Sequence, residues 1–227
     1  MTGRSLWRSL ASGVLVAGFL LPLYWAVVSS FTPERQLFAA PTLVPRTLVL
    51  DHYRTLFGER DFWTPVRNSL IVAGATTLLS VALGSVCAYA IARLRFRGKG
   101  LTLAFILAVS MFPQISIVSP LYLMLRELRL LNTYPGLVLP LSRPGIASVA
   151  ILTFLYSWNE FLFALSFTLG PERYTVPVAI TLFRGQYQVP WGQILAAAIV
   201  ATLPVAAIVM VAQRRIVSGL TEGAVKG

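Results

Sequence analysis

The sequence predicts an all-α protein, a polytopic bundle of transmembrane helices. Two observations point to this class. Of the 227 residues, 56% are hydrophobic and only 12% are charged, whereas a soluble domain carries about 25% charged residues. Several apolar runs also reach about 20 residues, the length that a helix needs to cross the hydrocarbon core of a bilayer. We therefore expect residues 1–227 to form one membrane domain.

Five apolar runs are long enough to span the membrane as helices. They are residues 10–31, 68–92, 101–125, 145–169 and 192–212. The first run follows Arg4 and Arg8 and is longer than the apolar core of a signal peptide, which predicts an uncleaved anchor. In the third run, Pro113 and Pro120 each remove a backbone donor and predict kinks. Membranes tolerate such breaks only beside protein or water, so this helix should face one of them.

The net charge of +11 comes largely from basic residues between the apolar runs. This pattern sets orientation in a membrane and does not indicate nucleic-acid binding. Arg4 and Arg8 precede the first run, a basic loop at 93–99 follows the second, and a basic tail at 214–226 follows the last. The positive-inside rule assigns all three groups, and with them the N-terminus, to the cytoplasm. Only three apolar runs separate the loop from the tail. Three crossings would leave the basic tail outside the cytoplasm, so the sequence predicts that one crossing is missing.

The missing crossing falls within the stretch Gly136–Gly145. Residues 126–144 hold an apolar core of about a dozen residues, which is too short to span. Arg129 before this core should lie outside, whereas Arg143 and Pro144 after it should lie inside. The stretch therefore joins two sides of the membrane without a helix that crosses it.

Four stretches of the chain carry a family resemblance. They are residues 68–100, 111–140, 142–165 (SRPGIASVAILTFLYSWNEFLFAL) and 213–227. In this order they resemble the inner-membrane permease subunits of binding-protein-dependent ABC importers, in the carbohydrate-uptake group that includes the MalG and SugB type. The resemblance implies six spans and a cytoplasmic Glu-Ala-Ala (EAA) loop whose short helix couples the permease to an ATPase. This chain has no EAA motif, and one span plus the coupling loop, on the order of 50 residues, is absent between Pro140 and Leu141.

The resemblance also implies partners and a function. The chain would pair with a second permease subunit, two cytoplasmic ATPase subunits and an extracytoplasmic solute-binding protein in the cell membrane, and import a maltose- or trehalose-like sugar. We expect no cofactor on this chain, because it lacks a GxxxxGK[ST] loop, and ATP and Mg would bind the partner ATPase. We also expect no enzymatic activity, because the lone His52 accompanies no nucleophile.

Two alternatives remain open. The absent coupling helix would suit a transport-inactive or assembly-only membrane subunit. A proton-coupled secondary carrier that uses Glu160 is the weaker alternative, because a single intramembrane carboxylate without an inverted repeat gives it little support.

Four candidate translocation-path residues lie within the fourth run. They are Tyr156, Trp158, Asn159 and Glu160. A charge at membrane depth costs roughly 2–4 kcal/mol on insertion scales, so Glu160 should face the bundle or a water-filled path. It either lines the route, with the two aromatic residues as sugar-stacking surfaces, or makes a hydrogen bond between helices that fixes packing. The second interpretation is favoured.

The remaining candidates concern partners. The candidates for ATPase contact are Arg143, Pro144, Gly219, Thr221, Glu222 and Lys226. The tail that carries the last four is either such a contact or a flexible, solvated terminus. In the loop 170–191, the candidates for contact with the binding protein are Arg184, Gln186 and Tyr187. This loop could equally be a plain connector. Neither the lone Cys87 nor the lone His52 provides a metal site.

Overall fold

A computed structural model describes residues 3–38, 44, 47–111, 113–141, 150–185 and 189–224; for residues 3–6, 139, 151 and 211–224 it describes the backbone alone. The described chain contains helices and no strands, as the apolar runs predict. The α-helices are α1 (Gly3–Ser30), α2 (Glu34–Leu37), α3 (Asp51–Arg54), α4 (Trp63–Arg93), α5 (Lys99–Ser110), α6 (Gln114–Glu127), α7 (Tyr134–Leu141), α8 (Ala150–Trp158), α9 (Leu162–Phe167), α10 (Val176–Thr181) and α11 (Trp191–Ala224). A π-helical turn (Thr55–Glu59) follows α3, and a 3-10 turn (Pro171–Arg173) precedes α10.

Three described helices are long and apolar enough to cross a membrane, within α1, α4 and α11. A fourth crossing is possible if α5 and α6 form one span bent by 95°. Pro113 precedes α6 in an extended conformation, so the break lies where the missing proline donor predicts it. Pro120, in contrast, lies inside α6. The fourth apolar run differs from the single helix predicted over 145–169, because its described part forms α8 and α9 with an interruption at 159–161.

The described contacts divide the chain into two compact units. Met1–Phe62 and Ile180–Leu203 form unit 1, and Trp63–Ala179 and Pro204–Gly227 form unit 2. In unit 1, the fully buried Phe62 packs against Phe183, with ring centroids 5.8 Å apart.

The core of unit 2 is an apolar cluster shared by α4, α6, α7, α9 and α10. Its buried members are Val72, Leu125, Leu137, Leu141, Phe163, Ala164, Phe167 and Val178. The rings of Phe163 and Phe167, one turn apart on α9, stack with centroids 5.6 Å apart. Burial of apolar side chains of this size contributes about 1.5–3 kcal/mol each in transfer free energy.

Beside this core, the side chain of Asn68 forms a polar clamp in the second turn of α4. Asn68 has no exposed surface, and its Nδ2 donates to the carbonyls of Glu172 and Tyr174, both at 2.9 Å. Its Oδ1 accepts a hydrogen bond from the hydroxyl of Tyr134 at 2.8 Å. One carboxamide therefore fixes the starts of α4 and α7 and the 3-10 turn to one another.

Asn132 extends the polar clamp on the surface. Its backbone has a positive φ of 57°, a conformation that asparagine tolerates better than most residues. Its N–H donates to the carbonyl of Phe167 at 2.9 Å, and its Nδ2 donates to Oε1 of Glu172 at 2.6 Å. The Asn132 hydrogen bond lowers the pKa of the Glu172 carboxyl below its ordinary value. This contribution to stability is present above the ordinary glutamate pKa and is lost as the pH falls through the lowered value.

Replacing Asn68 by leucine keeps the volume but removes all three hydrogen bonds of the clamp. We expect Asn68→Leu to lower the free energy of unfolding by about 2–4 kcal/mol, because two carbonyls and a hydroxyl lose their partner. Thermal unfolding of the purified protein in detergent measures the change. Asn159→Leu is the matched control, because the Asn159 amide is exposed and, within the described residues, donates to the carbonyl of Leu155 in the preceding turn. Equal losses in the two variants would contradict the clamp.

Candidate functional site

The candidate segment Tyr156–Glu160 lies at the end of α8 and just beyond it. α8 ends at Trp158 and α9 begins at Leu162, so three residues interrupt the helical ladder. An interruption inside an apolar run leaves backbone donors that water cannot satisfy. The side chain of Glu160 accepts hydrogen bonds from two backbone N–H groups at the start of α9.

Glu160 caps the N-terminus of α9. The residue is only 7% exposed. Its Oε1 accepts a hydrogen bond from the N–H of Phe163 at 2.8 Å, and its Oε2 accepts one from the N–H of Ala164 at 3.0 Å. A carboxylate is favoured at this position by the free N–H groups and by the helix dipole. Both oxygens are thus engaged by the backbone of the next helix, a partner that neither sequence interpretation specified.

The other three candidates of this segment do not share one environment. Trp158 is 3% exposed and stacks on Phe154, with centroids 5.8 Å apart. Tyr156 is 52% exposed. Asn159 is also exposed, and its Nδ2 donates to the carbonyl of Leu155 at 2.8 Å. Trp158 and Glu160 therefore belong to the packed interior of unit 2, whereas Tyr156 and Asn159 lie at its surface.

Three buried hydroxyl groups escaped the sequence analysis. Thr76 and Ser80, one turn apart on α4, and Ser157 on α8 are each at most 5% exposed. None of the three hydroxyls has a hydrogen-bond partner within the described part of the chain. The two helices that carry them, α4 and α8, pack against each other. The sequence carried a weak signal for them, namely hydroxyl residues spaced by four in a membrane helix.

His52, to which the sequence assigned no chemistry, has a structural role in unit 1. The ring is buried, and its Nε2 lies 2.8 Å from the carbonyl oxygen of Thr32. The ring also lies so close to Gly192 that a Cβ at that position would overlap it. Across 3–38, 47–111, 113–141, 150–185 and 189–224, no three His, Cys, Asp or Glu side chains form a group that could hold a metal.

The same end of α11 is capped by Glu34. Its Oε1 and Oε2 accept hydrogen bonds from the N–H groups of Trp191 and Gly192 at 2.9 and 3.0 Å. Glu34 therefore caps the N-terminus of α11, as Glu160 caps the N-terminus of α9.

Comparison with known proteins identifies the family. The chain is 37% identical to the trehalose transport system permease protein SugB of Mycobacterium tuberculosis, over 94% of this chain and 95% of that protein. It is 34% identical to the trehalose/maltose transport system permease protein MalG of Thermococcus litoralis, over 92% of each. It is 32% identical to the sulfoquinovosyl glycerol transport system permease protein SmoH of Agrobacterium fabrum, over 97% of this chain and 93% of that protein.

The chain belongs to the permease subunits of sugar ABC importers. No family model matches it. Its fold is that of a solved bacterial ABC transporter involved in the import of the acidic polysaccharide alginate, with a TM-score of 0.74 at 15% identity, over 92% of this permease and 95% of that chain.

The alignments are longer than the part of this permease that takes part in them. The alignment with SugB has 261 positions, and 94% of the 227 residues of this permease, about 213, take part in it. About 48 positions of the alignment (261 minus 213) therefore lie opposite gaps in this permease. For MalG, 256 positions minus about 209 residues leaves about 47. The absence of a span and a coupling loop between Pro140 and Leu141 stays a prediction.

The predicted contact residues of this permease are described only in part. Arg184 is exposed, whereas Gln186 and Tyr187 lie outside the described residues. The backbone of α11 continues through Gly219, Thr221 and Glu222 to Ala224, so this part of the tail is helical, and its side chains are not described. Arg143, Pro144 and Lys226 lie outside the described residues.

The cap predicts how substitutions of Glu160 behave. Glu160→Ala removes both hydrogen bonds, and we expect it to lower the free energy of unfolding by about 1–2 kcal/mol. Glu160→Gln keeps an acceptor and the shape, so it should retain most of the stability and the sugar uptake of the assembled transporter. Thermal unfolding and uptake measure the two effects.

Glu127→Ala is the control for this series, because the Glu127 side chain is largely exposed and, within the described residues, its carboxylate pairs with the neighbouring Arg126. If Glu160→Gln abolished uptake at unchanged stability, the capping role would be insufficient and proton coupling would be favoured.

Proposed function

We propose that this permease is one of two transmembrane subunits of an ATP-driven importer for a neutral sugar, such as a maltose- or trehalose-like oligosaccharide. The observation that carries the proposal is the near full-length similarity to permeases named for trehalose and maltose transport. The second permease, two ATPase subunits that bind ATP and Mg, and an extracytoplasmic binding protein complete the transporter. In this proposal, the exposed residues Tyr156 and Asn159 of unit 2 line the translocation route. The buried Trp158 and Glu160 stabilise the helices that form its wall.

The orientation in our proposal follows from the length of α4. Asn68 and Arg93 are 25 residues apart on α4, about 37 Å at 1.5 Å per residue, which exceeds the hydrocarbon core of about 30 Å. The polar clamp at Asn68 and the basic loop at 93–99 are therefore on opposite sides of the bilayer. With the basic loop in the cytoplasm, the clamp faces outward.

The clamp also accounts for the odd number of crossings in the sequence. Both Tyr134 and Tyr174 are hydrogen-bonded to Asn68, so the chain is on the outer side at both positions and crosses the membrane an even number of times between them. α7, the described start of this excursion, has eight residues, about 12 Å, less than half the core. A final crossing by α11 then returns the basic tail to the cytoplasm.

Reporter placement tests this orientation. In a Cys87→Ser background, a membrane-impermeant maleimide should label Arg184→Cys in intact cells, and Phe96→Cys only after lysis. Both parent side chains are exposed, so access depends on the side of the membrane. A green fluorescent protein fused after Gly227 should fluoresce, whereas an active alkaline phosphatase at that position would place the tail outside and overturn the orientation.

The gap of about 48 positions favours a second candidate, an assembly-only subunit that pairs with a permease but does not transmit the ATPase cycle. Coupling requires an element that contacts the ATPase differently in two states. In the family, the EAA loop supplies that element.

Reconstitution separates the two candidates. The permease is purified with its partner permease and ATPase subunits, and ATP-dependent uptake of labelled trehalose and maltose into proteoliposomes is measured. The first proposal expects co-purification of the ATPase and uptake well above the level without ATP. A chimera that carries the corresponding SugB segment in the gap is the matched control. Uptake by the chimera alone would support the assembly-only subunit and overturn the first proposal.

A further inference from the structure

The basic loop at 93–99, RLRFRGK, joins α4 to α5 within unit 2. Its four basic residues are Arg93, Arg95, Arg97 and Lys99. The three arginines are exposed, and the lysine is half-buried. Ion pairs of the described side chains occur elsewhere, at Asp51 and Glu127, and the sequence has no acidic residue between Asp61 and Glu127. Within the described part of the chain, no carboxylate therefore neutralises these four charges.

The apolar side chains that alternate with the arginines are exposed as well. Leu94 is 53% exposed and Phe96 is 41% exposed, and neither belongs to a helix. At the boundary between lipid headgroups and acyl chains, such side chains find apolar surroundings while neighbouring arginines stay among the headgroups. The alternation is therefore typical of a segment that lies in the membrane interface.

The loop is also too short to extend far from the bilayer. α4 ends at Arg93 and α5 begins at Lys99, so that only residues 94–98 make the turn. Gly98 directly precedes α5 and has a φ of 93°, a left-handed conformation that glycine adopts without strain. The chain therefore reverses at once, and both helix ends are at the same membrane surface.

The length of α4 limits how deep in the headgroup layer the loop begins. Asn68 and Arg93 are about 37 Å apart along the helix, and the hydrocarbon core is about 30 Å thick. With Asn68 at or beyond one boundary of the core, Arg93 lies at most about 7 Å beyond the other. The headgroup layer on each side is about 5–7 Å thick. The loop therefore begins among the lipid phosphates.

Beside the loop, α5 has an uncovered apolar surface. Within the described structure α5 has no buried residue, and Leu101 and Phe105, one turn apart, are 78% and 69% exposed. Both residues lie within two turns of Lys99, so a lipid whose acyl chains cover them has its headgroup at the loop. An anionic headgroup is favoured there, because each basic residue near the surface strengthens its binding about fivefold.

We propose that the basic loop binds the phosphate headgroups of anionic phospholipids, whose acyl chains lie along α5. The proposed orientation places these lipids in the cytoplasmic leaflet, but the binding itself does not depend on which sugar is carried. Arginine suits this ligand because one guanidinium group donates two hydrogen bonds to a phosphate. The bound lipids fix the depth of α4 and α5 in the membrane.

The lipid selectivity of the full chain tests this proposal. The permease is reconstituted in phosphatidylcholine vesicles that contain a trace of spin-labelled phosphatidylglycerol or of spin-labelled phosphatidylcholine. Electron paramagnetic resonance measures the fraction of each labelled lipid that the protein immobilises. We expect a preference for phosphatidylglycerol of about fivefold, and a loss of about half of it or more in Arg95→Gln/Arg97→Gln.

Two further variants are matched controls. Arg95→Lys/Arg97→Lys keeps both charges and should keep most of the preference. Arg35→Gln/Arg54→Gln also removes two exposed arginines, but both belong to unit 1 and each is close in sequence to an acidic residue, so the preference should not change. Thermal unfolding confirms that the variants are folded. No preference in the wild type, or an equal preference in Arg95→Gln/Arg97→Gln, overturns the lipid site.

Two more measurements separate lipid from other partners with the same chemistry. Millimolar inorganic phosphate at constant ionic strength should leave the preference intact, because a free anion has no acyl chains to hold it at α5. If it abolished the preference, the loop would bind a soluble anion and the lipid site would be wrong. If Arg95→Gln/Arg97→Gln instead lost the ATPase on purification but kept its lipid preference, the loop would be a protein contact. Failure of ATP-dependent uptake alone would count only against the proposed function.

Discussion

Backbone groups that are freed at helix ends must find partners inside the protein, because a bilayer provides none. The requirement is strictest inside the hydrocarbon core, and side chains of the described structure meet the same need at three places. Glu160 serves the start of α9, Glu34 serves the start of α11, and Asn68 serves two carbonyls of the 3-10 turn. Two of the eight acidic residues of the chain are thus helix caps. A carboxylate with both oxygens on backbone N–H groups is poorly placed to carry a proton or hold a substrate.

Much of the fold could be predicted because apolar length and proline chemistry act locally. The first, second and last runs correspond to long helices, and the break before α6 lies at Pro113. The interruption at 159–161 could not be predicted, because it depends on the buried Glu160 side chain, which accepts hydrogen bonds from N–H groups at the start of α9. The role of His52 was also beyond the sequence, because it depends on Thr32 and Gly192, which are distant along the chain. The contacts proposed for Arg143 and Tyr187 stay predictions.

The position of the polar clamp changes how the odd number of apolar runs translates into membrane crossings. Counting runs treats residues 145–169 as one crossing that follows directly on the third. Asn68 instead brings Tyr134 and Tyr174 to the same end of α4, so in the proposed orientation both residues lie on the same side of the membrane. A deletion that removed a descending leg, a loop and part of an ascending leg would preserve this geometry. The orientation of the later helices could therefore survive the loss of about 48 positions relative to SugB.

The unsatisfied hydroxyls of Thr76, Ser80 and Ser157 have a mechanical consequence. Each raises the free energy of the packed state by about 1–3 kcal/mol relative to a state in which it finds an acceptor. A small axial slide of α8 along α4 that offered a carbonyl to any of them would recover part of this energy and offset the apolar contacts that it disturbs. We expect such a movement to be opposed less strongly than in a pair of helices whose buried polar atoms all have partners.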